Sequence, residues 1–501
     1  MTLGPQPYYW PNTEAVSYGG SPPLATRSGW MALALLPFIL ALSAKANLIS
    51  VLTGVSHEKL QVFHHWTSYA MFALALVHTF PFIVYNIHKG DMVKPWKTEV
   101  TYWTGVATLI PQTYLTLMSL PAIRNRFYEF FKATHFLAAI IFLIFFFIHC
   151  DFRLSSWDYF LATATLYPTS LLLSTLRTLL HGRHTATLTS LPSGLILIRI
   201  PTTIPWRPGQ HIFIRFPSLN LNPLTASAHP FTICSLPDHS SEMVFYVKPR
   251  RGLTARLGDA ALESPGFSST VLVEGPYGGV AGSLDWARFD TFVFVTGGTG
   301  GGFSFGVLEA VLTLGTNPVS AGGQAGGQVG VVSVYIVFAT RSRGLAEWYE
   351  KEIRARVGRW ARARPVNVEL AVHVTSTSGL VPMVSSLGSG SALLPVSDSV
   401  EKVGGNQTGK TNLQIQIQSG TRPNIPDIIT TATTPNPTPS GTSNPKRTAI
   451  FTCGPASMIA DVRNAAAQAQ GRVFASSYKD RDRSGSGGAE EVYLHTEPFT
   501  Y

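Results

Sequence analysis

The chain has 501 residues, of which 45% are hydrophobic and only 13% charged, and its mean hydropathy is +0.16. Ordinary soluble domains carry about 25% charged residues, so the deficit argues for a membrane protein embedded in lipid. The net charge of +10 could suit nucleic acid, but Lys and Arg are scattered and build no dense basic helix, so nucleic acid is not an expected partner.

Residues 1–27 form an N-terminal segment expected on the non-cytosolic side. The first long apolar stretch begins near Trp30, too far in for a cleavable signal peptide. Five uncharged stretches then approach the roughly 20 apolar residues needed to span a bilayer. They fall near 29–46, 62–87, 101–123, 133–150 and 158–176, within an expected membrane domain at 28–178. Arg124, Arg126 and Lys132 in one loop, and Arg177 and Arg183 after the fifth stretch, put those segments on the cytosolic side by the positive-inside rule.

Two of these stretches carry paired histidines. His64 and His78 are fourteen residues apart, and so are His135 and His149. Fourteen residues is close to four turns, so each pair shares a helix face with its members about 21 Å apart along the axis. Ionisable residues inside a membrane default to a functional reading. Two such helices side by side can clamp one haem near each membrane face, His64 with His135 expected near the cytosolic face and His78 with His149 near the outer face. This makes the four histidines iron ligands of two b-type haems. His65 adjoins His64 and could serve as the inner ligand at spacing thirteen.

The remainder reads as two domains. Between 184 and 285, short runs such as LILIRI, HIFIRF and MVFYVK are broken by Pro and Gly, which suggests a small antiparallel β-barrel. From 290 to 501 the pattern becomes strand, Gly-rich turn, helix, as in TFVFVTGGTGGGFSFGVLEAVL, followed by the strands VVSVYIVFAT and RTAIFTCG. That is the signature of a parallel α/β sheet. Segments 315–330 and 385–446 are poor in core-forming residues and are expected to be flexible insertions. No CxxC spacing joins Cys150, Cys234 or Cys453, which argues against a zinc site or a disulfide scaffold. The turn Gly297, Gly298, Thr299, Gly300, Gly301 follows a strand and opens a helix, a place where backbone amides can cradle phosphate. Arg341 and Arg343 after the next strand could hold a 2′-phosphate and so favour NADPH over NADH.

HPFTICS (His229 to Ser235) resembles the flavin-binding signature of the ferredoxin–NADP reductase superfamily. PGQH (208–211), KPRRGLTARL (248–257), EGPYG (274–278) and TCGP (452–455) resemble its other flavin and nucleotide elements. Together with HHWTSYAMFALALVHTFPF and FYEFFKATHFLAAIIFLIFFFIHCDFRL, the chain is similar to the ferric reductase transmembrane family, which includes fungal ferric-chelate reductases and NADPH oxidases, and is closest to the fungal branch. The similarity covers about residues 28–311, 331–374 and 447–501. That family has a further spanning helix before those seen here, an Arg where His65 stands, and a bulky residue after GGTG.

The resemblance implies roles. His229, Pro230, Phe231 and Thr232 would meet the FAD ring and ribityl chain, and Gly252 and Thr254 its pyrophosphate. Gly297 to Gly301 would hold the NADPH phosphates. Cys453, Gly454 and Pro455 would lie beside the nicotinamide, and Phe499 or Tyr501 would cover the flavin. The expected enzyme is a multi-pass ferric-chelate reductase of the plasma membrane, or of the vacuolar membrane. It would pass electrons from cytosolic NADPH through FAD and two haems to an external ferric or cupric chelate. A metal permease or oxidase is a candidate partner. Two alternatives stand beside it: a superoxide-generating NADPH oxidase with the same internal wiring, and a catalytically silent membrane haem protein.

Overall fold

A computed structural model describes residues 23–217, 228–237, 241–313, 332–360, 366–376, 400–403, 412–434, 446–479 and 489–498, apart from residues 251, 281 and 283. The chain divides into two units, one ending at Gly182 and one beginning at Arg183.

The first unit is helical: α1 (Pro23–Ser43), α2 (Leu48–Thr53), α3 (His57–Lys89), α4 (Val93–Thr98), α5 (Val100–Met118), α6 (Pro121–Arg124), α7 (Tyr128–Cys150) and α8 (Ser156–His181). The five long helices coincide with the five uncharged stretches. Three segments among them, Leu24–Ser43, His57–His88 and Phe130–Cys150, are long and apolar enough to cross a membrane. α3 stops at Gly90, whose φ of 71° is the left-handed turn that a side chain resists. α1 lies along α3, and α5 lies along α7. Leu33, Leu36, Met71, Phe142 and Phe146 form the buried centre of this bundle.

The second unit starts with a six-stranded antiparallel sheet: β1 (Arg183–Ser190), β2 (Ile196–Pro201), β3 (Gln210–Arg215), β4 (His229–Thr232), β5 (Glu242–Val247) and β6 (Phe267–Gly278), in the order β4-β3-β6-β1-β2-β5. Alternation in β2 and β5 sends Ile196, Ile198, Ile200, Met243 and Phe245 into one core. The sheet is not the closed barrel expected from the sequence. β4 and β5 are its two edges, joined beside β4 by a backbone bond from Cys234 N–H to Val244 C=O at 2.8 Å. A physical reason lies in β4 itself: it is four residues long and contains Pro230, which has no N–H to give a further ladder. Helix α9 (Leu253–Glu263) packs Leu253, Leu257 and Ala261 into the same core.

A seven-stranded sheet follows: β7 (Thr291–Gly297), β8 (Val332–Thr340), β9 (Val366–Val374), β10 (Val400–Val403), β11 (Asn412–Ser419), β12 (Lys446–Gly454) and β13 (Ala489–Pro498). Its order is β10-β11-β9-β8-β7-β12-β13, parallel throughout except for the β10/β11 edge. Helices cover both faces. Phe292 and Phe294 face α10 (Gly301–Leu312) and α11 (Arg343–Trp360), while Val293 and Val295 face α12 (Ile425–Thr433) and α13 (Ala456–Lys479). A strand covered on both sides must be apolar at every position, and β7 is buried along its whole length.

The expected flexible insertion at 385–446 needs correction. It contains β10, β11 and α12, and Ile415, Ile425 and Ile429 are 3%, 4% and 0% exposed. In NLQIQIQS, apolar residues alternate with glutamines, and the run pairs in parallel with β9. In IPDIITTAT, positions 425, 428, 429 and 432 repeat at helical spacing. Periodicity overrides the polar composition. The other expected insertion, 315–330, lies outside the described residues.

Candidate functional site

In the membrane unit, α3 carries His64 and His78, and α7 carries His135 and His149. His78 and His149 meet: their ring centroids are 6.0 Å apart and their planes are 82° from parallel. Each ring has a fixed tautomer. Nδ1 of His78 lies 2.8 Å from the carbonyl of Ala25, and Nδ1 of His149 lies 2.8 Å from that of Thr101. A carbonyl only accepts, so each Nδ1 holds the proton and each Nε2 keeps its lone pair for a metal. Two imidazoles sharing one iron, with metal–nitrogen bonds of about 2 Å, place their ring centroids about 6 Å apart. The His78/His149 pair therefore has the spacing a bis-histidine haem requires.

His64 shows the same second bond, its Nδ1 2.9 Å from the carbonyl of Ile39. His135 has a buried Nδ1 without a hydrogen-bond partner, and its ring packs against Phe131 at 5.1 Å. His65 lies 5.9 Å from His64 between ring centroids, and its Nε2 is 3.5 Å from Arg124 Nη1. His65 is thus turned toward a cation, whereas His64 is oriented as a ligand is.

In the second unit, β4 aligns His229, Pro230, Phe231 and Thr232 opposite Ile214, Phe213, Ile212 and His211 of β3, and all four remain half-exposed on the sheet edge. Gly252, at φ 73°, precedes the first turn of α9, whose N-terminus has no side-chain cap. Thr254 Oγ1 accepts from Arg250 N–H at 3.0 Å, drawing that loop onto the helix start. Uncapped amides at a helix N-terminus suit a phosphate. Beside this strand, buried Glu274 pairs with Arg215 at 2.8 Å and accepts from Tyr277 O–H at 3.3 Å. Arg215 and Tyr277 carry no sequence signal beyond their strand positions.

The Gly-rich turn leaves the end of β7, makes one 3-10 turn over Gly298–Gly300 and enters α10. Its glycines are needed for close approach. A Cβ on Gly300 would lie 2.5 Å from the carbonyl oxygen of Cys453, and one on Gly301 would lie 2.8 Å from the ring of Tyr349. Tyr349 stacks on Phe338 at 3.9 Å and bonds Ser304 Oγ at 2.7 Å. The space beside Gly301 is taken by the rings of Tyr349 and Phe338, which leaves no room for a side chain there. Thr299 belongs to the 3-10 turn, and Gly454 and Pro455 flank Gly297 from the end of β12.

Cys453 is buried beside this turn, and burial pushes its thiol well above the usual range. Burial likewise pushes Cys234 up to about 12. Arg341 and Arg343 are exposed just after β8, the strand beside β7, with Arg343 paired to Glu347 at 3.2 Å. Phe499 and Tyr501 lie outside the described residues.

Sequence reasoning missed one cluster. Glu309 of α10 accepts from Leu236 N–H at 3.1 Å, just past HPFTICS, and pairs with Arg356 of α11 at 3.1 Å. The Arg356 guanidinium lies 4.0 Å over the Phe305 ring. A carboxylate halfway along α10 has a predictable helix position, but nothing in the sequence says what it meets.

These features define a class: a membrane bundle with paired histidines, followed by a flavin-type sheet and a dinucleotide-type sheet. Family models match in the same order. Residues 28–146 match the ferric reductase like transmembrane component, 180–281 an FAD-binding domain, and 289–467 the ferric reductase NAD binding domain. By these three matches the chain belongs to the ferric reductase family. It is 35% identical over 374 residues to a probable cell surface ferric reductase of Aspergillus oryzae, covering 70% of this chain and 47% of that one. It is 32% identical over 307 residues to ferric/cupric reductase transmembrane component 7 of Saccharomyces cerevisiae, covering 59% of this chain and 47% of that one. The chain thus spans about half the length of the curated relatives it matches.

Proposed function

We propose that the chain is an NADPH-dependent ferric-chelate reductase that delivers electrons across a membrane to an external ferric or cupric chelate. The observation that carries this reading is the outer histidine pair, set at a haem-spanning distance in a chain with FAD-binding and NAD-binding domains. Bound FAD supplies the exchange between two-electron and one-electron chemistry, and bis-histidine haem supplies outer-sphere electron transfer.

The residues divide the remaining work. Amides of the Gly297–Gly301 turn hold the nucleotide phosphates, and Arg341 and Arg343 offer charge for a 2′-phosphate. Cys453, a neutral thiol, shapes the nicotinamide side without exchanging protons. His229 to Thr232 line the flavin edge, with Gly252 and Thr254 at its phosphates, and Phe499 or Tyr501 covers its face. His64 with His135, and His78 with His149, hold two b-type haems. The proposed domains are 28–178 for haem, 184–285 for FAD and 290–501 for NADPH. The proposed site of action is the plasma membrane, the printed name of the Aspergillus relative being that of a cell surface protein.

The test is NADPH-driven reduction of a ferric chelate by the purified protein in lipid, with and without superoxide dismutase. Equal rates are expected in both. A rate abolished by the dismutase would transfer the assignment to superoxide production, and no rate at all would leave a silent haem protein.

A further inference from the structure

The two outer histidines are seated in the same way on two different helices. The ring of His78 lies against Gly29 of α1, where an added Cβ would be 2.5 Å from Nδ1. The ring of His149 lies against Gly105 of α5, where an added Cβ would be 3.1 Å from Cε1. Each Nδ1 bonds the carbonyl four residues before its glycine, Ala25 for His78 and Thr101 for His149. In a helix that carbonyl already accepts from the glycine's own N–H, and that of Ala25 also accepts from Ser28 Oγ at 3.0 Å; each ring reaches its carbonyl over the glycine, where no side chain stands.

We propose that Gly29 and Gly105 are positioning residues that form two matched sockets, fixing the tautomer and the plane of the outer axial ligands. This rests on the haem reading above. A side chain at either position would push the ring away from the helix and break the Nδ1 bond, or force the plane to rotate. The glycines thereby hold the two planes at 82°, close to perpendicular. His64 uses the carbonyl of Ile39, and the residue four further on is Ser43, so the inner side lacks this socket. The two sites are therefore set differently, and the outer one is set by the missing side chains.

The geometry orders the variants. At Gly29 the added Cβ falls at a distance that real contacts do not show, so the His78 ring must move. At Gly105 the ring needs to give only a few tenths of an ångström. Gly29→Ala should therefore act more strongly than Gly105→Ala.

The test is electron paramagnetic resonance of the oxidised full chain in membranes, with haem content measured alongside. Near-perpendicular axial rings leave two iron d-orbitals almost degenerate, which gives a highly anisotropic low-spin signal. The parent should show that signal from one of two haems. Gly105→Ala should shift it with haem content kept. Gly29→Ala should abolish it or lose that haem, taking content from two towards one per chain. The inner haem should be unchanged in both and reports that the bundle has folded. Spectra identical to the parent's, or loss of both haems together, would overturn the proposal. A parent without haem would instead remove the reading on which it rests.

Discussion

At the scale of single residues, each assigned role predicts its own loss. His78→Ala or His149→Ala should remove one haem and leave the other, because the partner ring alone cannot complete the axial pair. Haem content per chain, read from the pyridine haemochrome spectrum, should fall by half in each. His65→Ala should keep both, since that ring faces Arg124; a lost haem there would make His65 the inner ligand. The thiols give a second check. Burial pushes Cys234 up to about 12 and Cys453 further in the same direction, so both stay almost wholly protonated at pH 8. Raising the pH towards 9 should leave alkylation of both far slower than that of a free thiol, because the thiolate stays a small minority. Rapid labelling of either cysteine in the folded protein would contradict the burial that produces the shift.

At the scale of elements, the sequence was most readable where periodicity and chemistry agreed. The five long helices follow from uncharged runs, and β2 and β5 from short β-branched and aromatic runs broken by Pro and Gly. The turn after β7 follows from its glycines. The barrel expectation failed because strand number says nothing about edge pairing, and a four-residue strand containing Pro230 has no second ladder. The expected insertion failed for another reason: glutamine and threonine hid the alternation of β11 and the 3–4 spacing of α12. Truncating Ile429, which is fully buried between sheet and helices, should cost about 2–5 kcal/mol in the second unit. Thermal unfolding of the flavin-loaded protein measures it, and an unchanged midpoint would mean α12 is dispensable. The cluster around Glu309 was invisible because its partners are distant in sequence. Glu309→Gln removes one of the two carboxylates that face Arg356 and should cost about 1–3 kcal/mol. It should also speed hydrogen exchange at the Leu236 amide, which the carboxylate now holds.

At the scale of the whole molecule, the sequence reached the order of parts because each part has a distinct solvent signature. A chain with 13% charged residues overall concentrates its long apolar runs before residue 182, and the short strands of the two sheets follow. The pairing of His78 with His149 was legible from spacing plus alternating spans. The perpendicular setting of the two rings was not, because it depends on which neighbouring carbonyl each ring finds. On the proposed function, one chain joins a nicotinamide-driven flavin to two haems. Anaerobic addition of NADPH to the purified full chain, followed by absorbance, tests it most directly. Two haems are expected for each flavin, with bleaching of the flavin followed by reduction of both haems. Flavin reduction with the haems left oxidised, or a preparation holding flavin and no haem, would contradict it.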